Sequence, residues 1–240
     1  MTSSYDPRSY PPFAVTVDIV LLAVSHELSV LLVTRGEEPH KGAAALPGGF
    51  VRADESIDAA AHRELAEETG LSAAELPGVY LEQLATFGAV ERDPRMRVVS
   101  IAYLGLSRSL PETAAATDAA AAGWKPVAQA LSDGLAFDHS AIIETGVARA
   151  RAKLEYTTLA TNLAGDDFTL GELHHIYEVV WGESLDLANF RRKVLATPGF
   201  VEATGKRRVS ASGGAPAAVY RAGGATALVP PLSRGGRLPT

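Results

Sequence analysis

Residues 49–71 read GFVRADESIDAAAHRELAEETGL. Residues 55–69 are rich in helix formers, and Gly70 is a helix stop. On a helix, positions i, i+3 and i+4 share one face, so Glu64, Glu67 and Glu68 converge. Three crowded carboxylates repel unless a cation sits among them, which predicts a metal site. Oxygen ligands suit Mg²⁺ or Mn²⁺. Ile57, Ala61 and Leu65 fall on the opposite face and would anchor the helix to a sheet. Gly49 permits close approach of the loop to the helix. Arg63 is placed to pair with a neighbouring carboxylate and orient it. The plain alternative is a solvated acidic face.

The flanking sequence is rich in strand formers. Residues 14–24 and 28–35 read as two strands around a three-residue break, Ser25-His26-Glu27. Residues 80–88 and 98–106 read as two more, the second apolar on both faces like a buried strand. Residues 111–122 have no clear state, and Trp124-Lys125-Pro126 reads as the entry to a short helix. Ile143, Val147, Ala150 and Leu154 form one apolar face of a helix over residues 140–162, expected to connect two domains.

Composition narrows the chemistry. The chain has 240 residues, 47% hydrophobic and 21% charged, with no cysteine. That excludes a disulfide scaffold, a thiolate zinc site and a cysteine nucleophile. The longest apolar run, near Ile19–Val24, is far short of the ~18 residues of a spanning helix. The start of the chain lacks a basic-then-apolar secretory pattern, so a cytoplasmic location is expected and no membrane association.

The net charge of −6 hides an asymmetry. Residues 1–186 hold 13 basic and 27 acidic side chains, whereas residues 187–240 hold nine basic and one acidic. Such a basic quarter points towards nucleic acid or a membrane surface. Within it, residues 170–181 and 186–196 read as two helices around a tight turn. A hairpin follows, pairing 200–203 with 217–221 across a loop over 205–216. Leu187, Phe190 and Val194 form the expected buried stripe of the second helix. That leaves Asn189 and Arg192 outward, flanked by Arg191 and Lys193. Asn and Arg read adenine and guanine edges, while flanking cations meet phosphates. Lys206, Arg207 and Arg208 in the hairpin loop would touch the DNA backbone or a minor groove. This is a winged helix-turn-helix in outline. A basic helical cap that only dimerises the protein is the plain alternative.

At the first site, Gly49, Glu55, Arg63, Glu64, Leu65, Glu67, Glu68, Gly70 and Leu71 match the Nudix box, so residues 14–132 resemble the Nudix family. The resemblance implies an α/β/α sandwich with a mixed sheet and a substrate in which a nucleoside diphosphate is linked to another moiety. A metal at Glu64 and Glu68 would activate water against one phosphorus. Arg63 and Glu67 are the catalytic candidates. The general base stays open among Glu67, Glu82 and Glu91. For the diphosphate, the candidates are Arg35, Gly49 and the loop arginines Arg92, Arg95 and Arg97, whose other reading is a solvated charged loop.

Further residues widen the resemblance: Tyr177-Glu178, Trp181-Gly182, Asp186, Asn189 to Val194, and Pro216 with Val219-Tyr220-Arg221. With Phe87-Gly88, Arg92 to Arg95 and Val98 to Leu104, these make residues 14–222 similar to the Nudix-related transcriptional regulators of NAD metabolism, the NrtR type. That implies a homodimeric repressor of NAD biosynthesis or salvage genes. It would read a near-palindromic operator and be released by ADP-ribose or a related nucleotide. Many such regulators have a degraded Nudix box, whereas here every carboxylate is present, leaving hydrolysis open. The rival reading is a Mg²⁺-dependent diphosphatase acting on ADP-ribose-type substrates, with a dimerising C-terminal domain. The expected layout is a flexible lead-in over 1–12, a Nudix domain over 13–137 and a connecting helix over 138–165. A winged helix over 166–222 and a disordered tail over 223–240, carrying Arg234 and Arg237, complete it.

Overall fold

The run AVTVDIVLLAV forms β1 (Ala14–Val24), and its alternate residues serve two cores. Val17, Ile19 and Leu21 face one helix layer, and Val20, Leu22 and Val24 face the other. This is the period-2 geometry of a strand covered on both sides. The computed structural model describes residues 6–70, 81–108, 120–209 and 215–234.

After β1 come β2 (Leu28–Thr34), β3 (Ala44–Ala45) and β4 (Gly48–Phe50). Helix α1 (Ile57–Thr69) starts at Ser56, whose side chain accepts the Ala59 N–H, and ends at Gly70 with φ 71°. Strands β5 (Glu82–Phe87), β6 (Val98–Ser107) and β7 (Ala120–Pro126) complete a seven-stranded sheet. Its order is β3-β2-β1-β6-β5, with β4 added on β1 and β7 on β2. The sheet is mixed: β1 runs parallel to β6 and antiparallel to β2 and β4. Ala60, Ala61 and Leu65 of α1 pack on one face with Val17, Ile19 and Leu21.

Helix α2 (Val127–Asp133) and the 18-residue α3 (His139–Tyr156) follow. Ile143, Val147, Ala150 and Leu154 are buried, as their spacing predicts. Gly146 lets α3 lie close to the sheet, since a Cβ there would press to 2.8 Å from Val20. The sheet is thus sandwiched between α1 and α3. The helical run from residue 140 is interrupted at Thr157, and α4 (Leu159–Ala164) is a separate turn and a half.

Strand β8 (Phe168–Thr169) leads into α5 (Leu170–Trp181), α6 (Leu187–Ala196), β9 (Val201–Arg208) and β10 (Ala217–Ala222). Thr169 and Glu172 form a capping box on α5, and Gly182 closes it in a left-handed conformation. Together these caps stabilise a helix by roughly 1–2 kcal/mol. The strands form a separate three-stranded sheet, β8-β10-β9. Strands and a helix pair in this order make a winged helix. The two units share one hydrophobic core, which runs from the sheet through α3 into Leu173, Tyr177, Phe190 and Phe200. Hydrogen bonds reinforce it: Tyr177 Oη donates to the Leu154 carbonyl at 3.1 Å, and Trp181 Nε1 to the Arg151 carbonyl at 3.2 Å.

Four expectations need correction. Trp124-Lys125-Pro126 ends strand β7 instead of entering a helix, because its backbone completes the edge of β2. Gly205 to Arg208 lie in strand β9, not in the hairpin loop. Gly205 adopts φ 76° beside a register shift and absorbs extra residues on β9. Leu187 is exposed, since as the first residue of α6 it precedes the turn that meets the core. The segment 223–234 is packed. Leu228 and Leu232 are buried, and their N–H groups donate to the carbonyls of Tyr156 and Glu155. Arg234 pairs with Glu155. Leu71, Tyr80, residues 111–119, most of the hairpin loop and Arg237 fall outside the described residues.

Candidate functional site

The strand ends and α1 enclose a cavity of ≈ 450 Å³. Its walls include Glu64, Glu67 and Glu68 of α1, Gly48 to Phe50 of β4, Arg35, Arg92, Arg95, Phe137 and His139. That volume falls in the range of small-molecule sites.

One wall is acidic. The Gly48 N–H donates to Glu68 Oε2 at 2.8 Å. A Cβ at Gly49 would collide with the Glu64 carboxylate, so a glycine is required for strand and helix to meet. Burial, with Glu64 and Asp18 nearby, raises the Glu68 carboxyl to about 7, against the lowering effect of the Gly48 N–H. Arg63 ties the neighbours together. It donates to Glu55 at 2.6 and 2.9 Å, to Glu64 at 2.6 Å and to Glu67 at 3.0 Å. These bonds hold Glu55 down to about 2. Glu67, half-exposed, also meets Arg52 at 3.4 Å. Among the described residues no three His, Asp or Glu side chains form a ready metal cage. The sequence reading placed a cation among three carboxylates. In the structure the Arg63 guanidinium lies between Glu64 and Glu67, and Glu68 turns to Gly48.

The arginine loop divides. Arg92 is buried and spans Asp138, at 2.7 and 3.0 Å, and Asp18, at 3.3 Å. Burial opposes its charge, but these carboxylates outweigh it and hold its pKa above the ordinary guanidinium value. Arg95 forks onto Asp93 at 2.7 and 3.0 Å. Arg97 donates to the carbonyls of Gly88, Ala89 and Val98 and does not line the cavity. Arg35 lines it, with Nε on the Pro39 carbonyl at 2.8 Å and its guanidinium 4.6 Å from the Phe137 ring centre. Of the three base candidates only Glu67 lines the cavity. Glu82 is drawn to Lys153 at 2.6 Å on α3.

Sequence reasoning missed the centre of this wall. Asp18 accepts from Ser100 and lies 3.4 Å from His139 Nε2. The Leu46 N–H donates to His139 Nδ1 at 2.9 Å, so the ring proton belongs on Nε2, facing Asp18. Burial lowers the His139 pKa. Thr16 Oγ1 is buried at the cavity with no hydrogen-bond partner among the described residues. An acid inside an apolar strand, Asp18, was the available signal.

The second candidate region is α6. Phe190 and Val194 are buried, Phe190 lying 5.2 Å from the Tyr177 ring. Asn189, Arg191 and Arg192 are exposed, and Arg192 Nη2 donates to Asn189 Oδ1 at 2.6 Å. Lys193 is half-buried and, with Asn189, borders a groove that also contains Trp181 and Leu232. Lys206 pairs with Asp167 at 2.8 Å and Arg208 with Glu172 at 2.9 Å. Arg207 donates to the Pro216 carbonyl at 2.6 Å. Arg191 and Arg192 of α6 are thus exposed and Lys193 turns to the groove, while Lys206 and Arg208 of β9 are paired at the root of the wing.

The NUDIX domain model matches residues 12–146, and the NrtR DNA-binding winged helix domain model matches residues 160–222. The ADPR responsive transcriptional repressor NtrR of Acinetobacter baylyi is 36% identical over 91% of this chain and 86% of its own. The ADP-ribose pyrophosphatase of Methanocaldococcus jannaschii is 37% identical over 57% of this chain and 75% of its own. The crystal structure of Shewanella oneidensis NrtR complexed with a 27mer DNA superimposes with a TM-score of 0.70 at 35% identity, covering 87% of this chain and 93% of that one. Its NUDIX domain complexed with ADP ribose does so at 0.54 and 37%, covering 61% and 94%.

A NUDIX domain and likeness to a pyrophosphatase point to dependence on a divalent metal ion. The donors at the cavity fit a hard cation. Glu64 and Glu68 offer oxygen alone, and their mutual repulsion is the charge that a dication would relieve.

The raised Glu68 pKa has a sign in stability. The folded form binds the proton more tightly than the unfolded chain, so Glu68 adds stability that is full below about 4.5 and lost as pH rises through about 7. In chelator-treated protein, Glu68→Gln is therefore expected to raise the melting temperature more at pH 8 than at pH 5. Equal shifts at both pH values would count against the repulsion.

Proposed function

Since the chain belongs to the Nudix family, in the branch that joins a NUDIX domain to an NrtR winged helix, we propose that it is a DNA-binding transcriptional repressor released by ADP-ribose. The observation that carries this is α3. Its first residue, His139, lines the cavity, and its last turns hold α5 of the winged helix. Occupancy of the cavity is thereby linked through one helix to the placement of α6.

In this reading residues 13–137 sense the nucleotide, 138–165 connect, and 166–222 read DNA. Arg191, Arg192 and Asn189 face the operator, and Lys193, Lys206, Arg207 and Arg208 contribute at its edges. The working unit is a homodimer on a near-palindromic site, since two-fold proteins read two-fold operators. The target genes are those of NAD biosynthesis or salvage, and the protein acts in the cytoplasm. Arg35 binds the diphosphate. Arg92 shapes the pocket instead of gripping phosphate, because its donors already serve Asp18 and Asp138.

A second reading is favoured by one observation, the complete set of carboxylates with Arg63 in place to orient them. Glu64 and Glu68 would hold Mg²⁺ or Mn²⁺, which supplies charge neutralisation and a more acidic water. Glu67, the base candidate at the cavity, would take the proton of the attacking water. Slow hydrolysis of ADP-ribose is compatible with repression.

Fluorescence anisotropy on the upstream intergenic DNA of its own gene, against a shuffled duplex, tests the proposal. Specific binding relieved by ADP-ribose is expected. Equal weak binding to both duplexes would overturn repression. Mg²⁺-dependent turnover lost in Glu68→Gln would then make the diphosphatase the remaining account.

A further inference from the structure

We infer that residues 223–234 form a clasp that sets α6 against the end of α3, and that release of DNA by a cavity ligand runs through it. This rests on the reading of the chain as a ligand-released repressor.

The clasp is an addition to the winged helix. The helix pair and the three-stranded sheet are complete at Ala222. The chain then doubles back across the turn that leaves α6. The Gly223 N–H donates to the Phe200 carbonyl at 3.0 Å, and the Ala225 N–H to the Gly199 carbonyl at 2.9 Å. Backbone meets backbone here, since a Cβ at Gly223 would lie 2.1 Å from the Gly199 oxygen.

Its second attachment is the end of α3. The carbonyls of a helix's last turn have no partner within the helix. The Leu228 N–H donates to the Tyr156 carbonyl at 2.9 Å and the Leu232 N–H to that of Glu155 at 3.0 Å, so the clasp supplies donors that α3 lacks. Thr157 bridges to Ala227, and the Thr158 hydroxyl donates to the Ala225 carbonyl at 3.0 Å. Arg234 pairs with the Glu155 carboxylate.

The third attachment is α6 itself. Leu232 is buried, and with Ser233 it borders the groove formed with Trp181 and with Asn189, Phe190 and Lys193 of α6. Asn189 is the residue that holds Arg192. One segment thus touches the helix that begins in the cavity wall at His139 and the helix that faces DNA. Coupling between separated sites is carried by packed side chains and hydrogen-bonded rigid elements. Helix α5 joins α3 through Tyr177 and Trp181, whereas the clasp joins α3 to α6 directly. A shift of α3 therefore reaches α6 along both routes, and loosening the clasp removes one of them.

Anisotropy on the upstream intergenic duplex and a shuffled duplex, with and without ADP-ribose, tests this on the full chain. Calorimetry with ADP-ribose alone monitors the cavity. Leu232→Ser removes the apolar anchor at α6, and Leu232 does not line the cavity. ADP-ribose affinity should hold, while the factor by which ADP-ribose weakens operator binding should shrink about threefold or more. Leu232→Met, which restores the bulk, should restore that factor. Thr158→Val removes a clasp bond with little change of volume and should shrink the factor less, and it serves as the test if Leu232→Ser fails to fold. Val219→Ala in β10 loosens the wing core without touching the clasp and should leave the factor unchanged. An unchanged factor in Leu232→Ser, or in Thr158→Val where the serine variant is unfolded, would overturn the inference, as would an equal change in Val219→Ala. Wild-type protein whose operator binding ADP-ribose does not relieve would instead overturn the repressor reading.

Discussion

Arg92→Met is expected to lower the unfolding free energy by about 3–5 kcal/mol at neutral pH, the range found when one partner of a buried ion pair is removed. Arg92 and Asp18 are both more than nine-tenths buried. The guanidinium is the cation between Asp18 and Asp138. Its removal leaves Asp18 with the Ser100 hydroxyl and the weaker Nε2–H of His139, and leaves Asp138 without its fork. Methionine fills most of the volume, so the loss reports charge more than packing. Two controls separate these. Adding Asp138→Asn to Arg92→Met should recover part of the loss, since one stranded charge is gone. The deficit should also narrow as pH falls, because protonating the stranded carboxylates removes the same penalty. Urea denaturation of the three proteins at two pH values measures this. A loss under about 1 kcal/mol, or one unchanged by Asp138→Asn, would mean that the network does not hold the cavity wall.

This network also shows what the sequence could and could not disclose. The acidic helix, its Gly70 stop and the apolar face of α3 were legible because each rests on local spacing within one element. So were α5, the turn at Gly182 and α6. Partners across the fold were not. Arg92 sits in a loop whose charges look solvated, and its partner Asp138 is 46 residues away. Nothing local ranks Asp138 above Glu91 or Asp93. The same holds for Arg95, which reads as a phosphate ligand until Asp93 is seen to take its donors. Strand β7 was opaque because alanine and glycine give no alternation, and only its pairing with β2 makes it a strand. The 223–234 segment misled by composition. Glycine and proline suggest disorder, yet two leucines with backbone bonds to Glu155 and Tyr156 suffice to fix it.

On α6, Arg192→Ala is expected to weaken binding to the specific operator by about 1–3 kcal/mol and to relax the preference at one base position, as the loss of a base-edge contact does. Arg191→Ala should instead weaken all DNA alike and reduce the salt-dependence slope by about 0.9, the signature of one phosphate contact. The two differ because of their surroundings. Arg192 is held by Asn189 at 2.6 Å, so its guanidinium is oriented before DNA arrives. That leaves the Asn189 amide N–H groups available to the neighbouring base, and the pair acts as a unit. Asn189→Ala should therefore cost Arg192 its orientation, and the double variant should lose less than the two singles combined. Arg191 is exposed, with no ion pair among the described residues. The wing residues offer the contrast. Lys206 and Arg208 are already paired with Asp167 and Glu172, so each must exchange a partner to reach a phosphate. Lys206→Ala should then have a smaller effect than Arg191→Ala. Anisotropy titrations over a salt series, on operator and shuffled duplexes, measure all five variants. An Arg192→Ala loss that is equal on both duplexes would move Arg192 to the backbone. No loss in any α6 variant would mean that another surface meets the DNA.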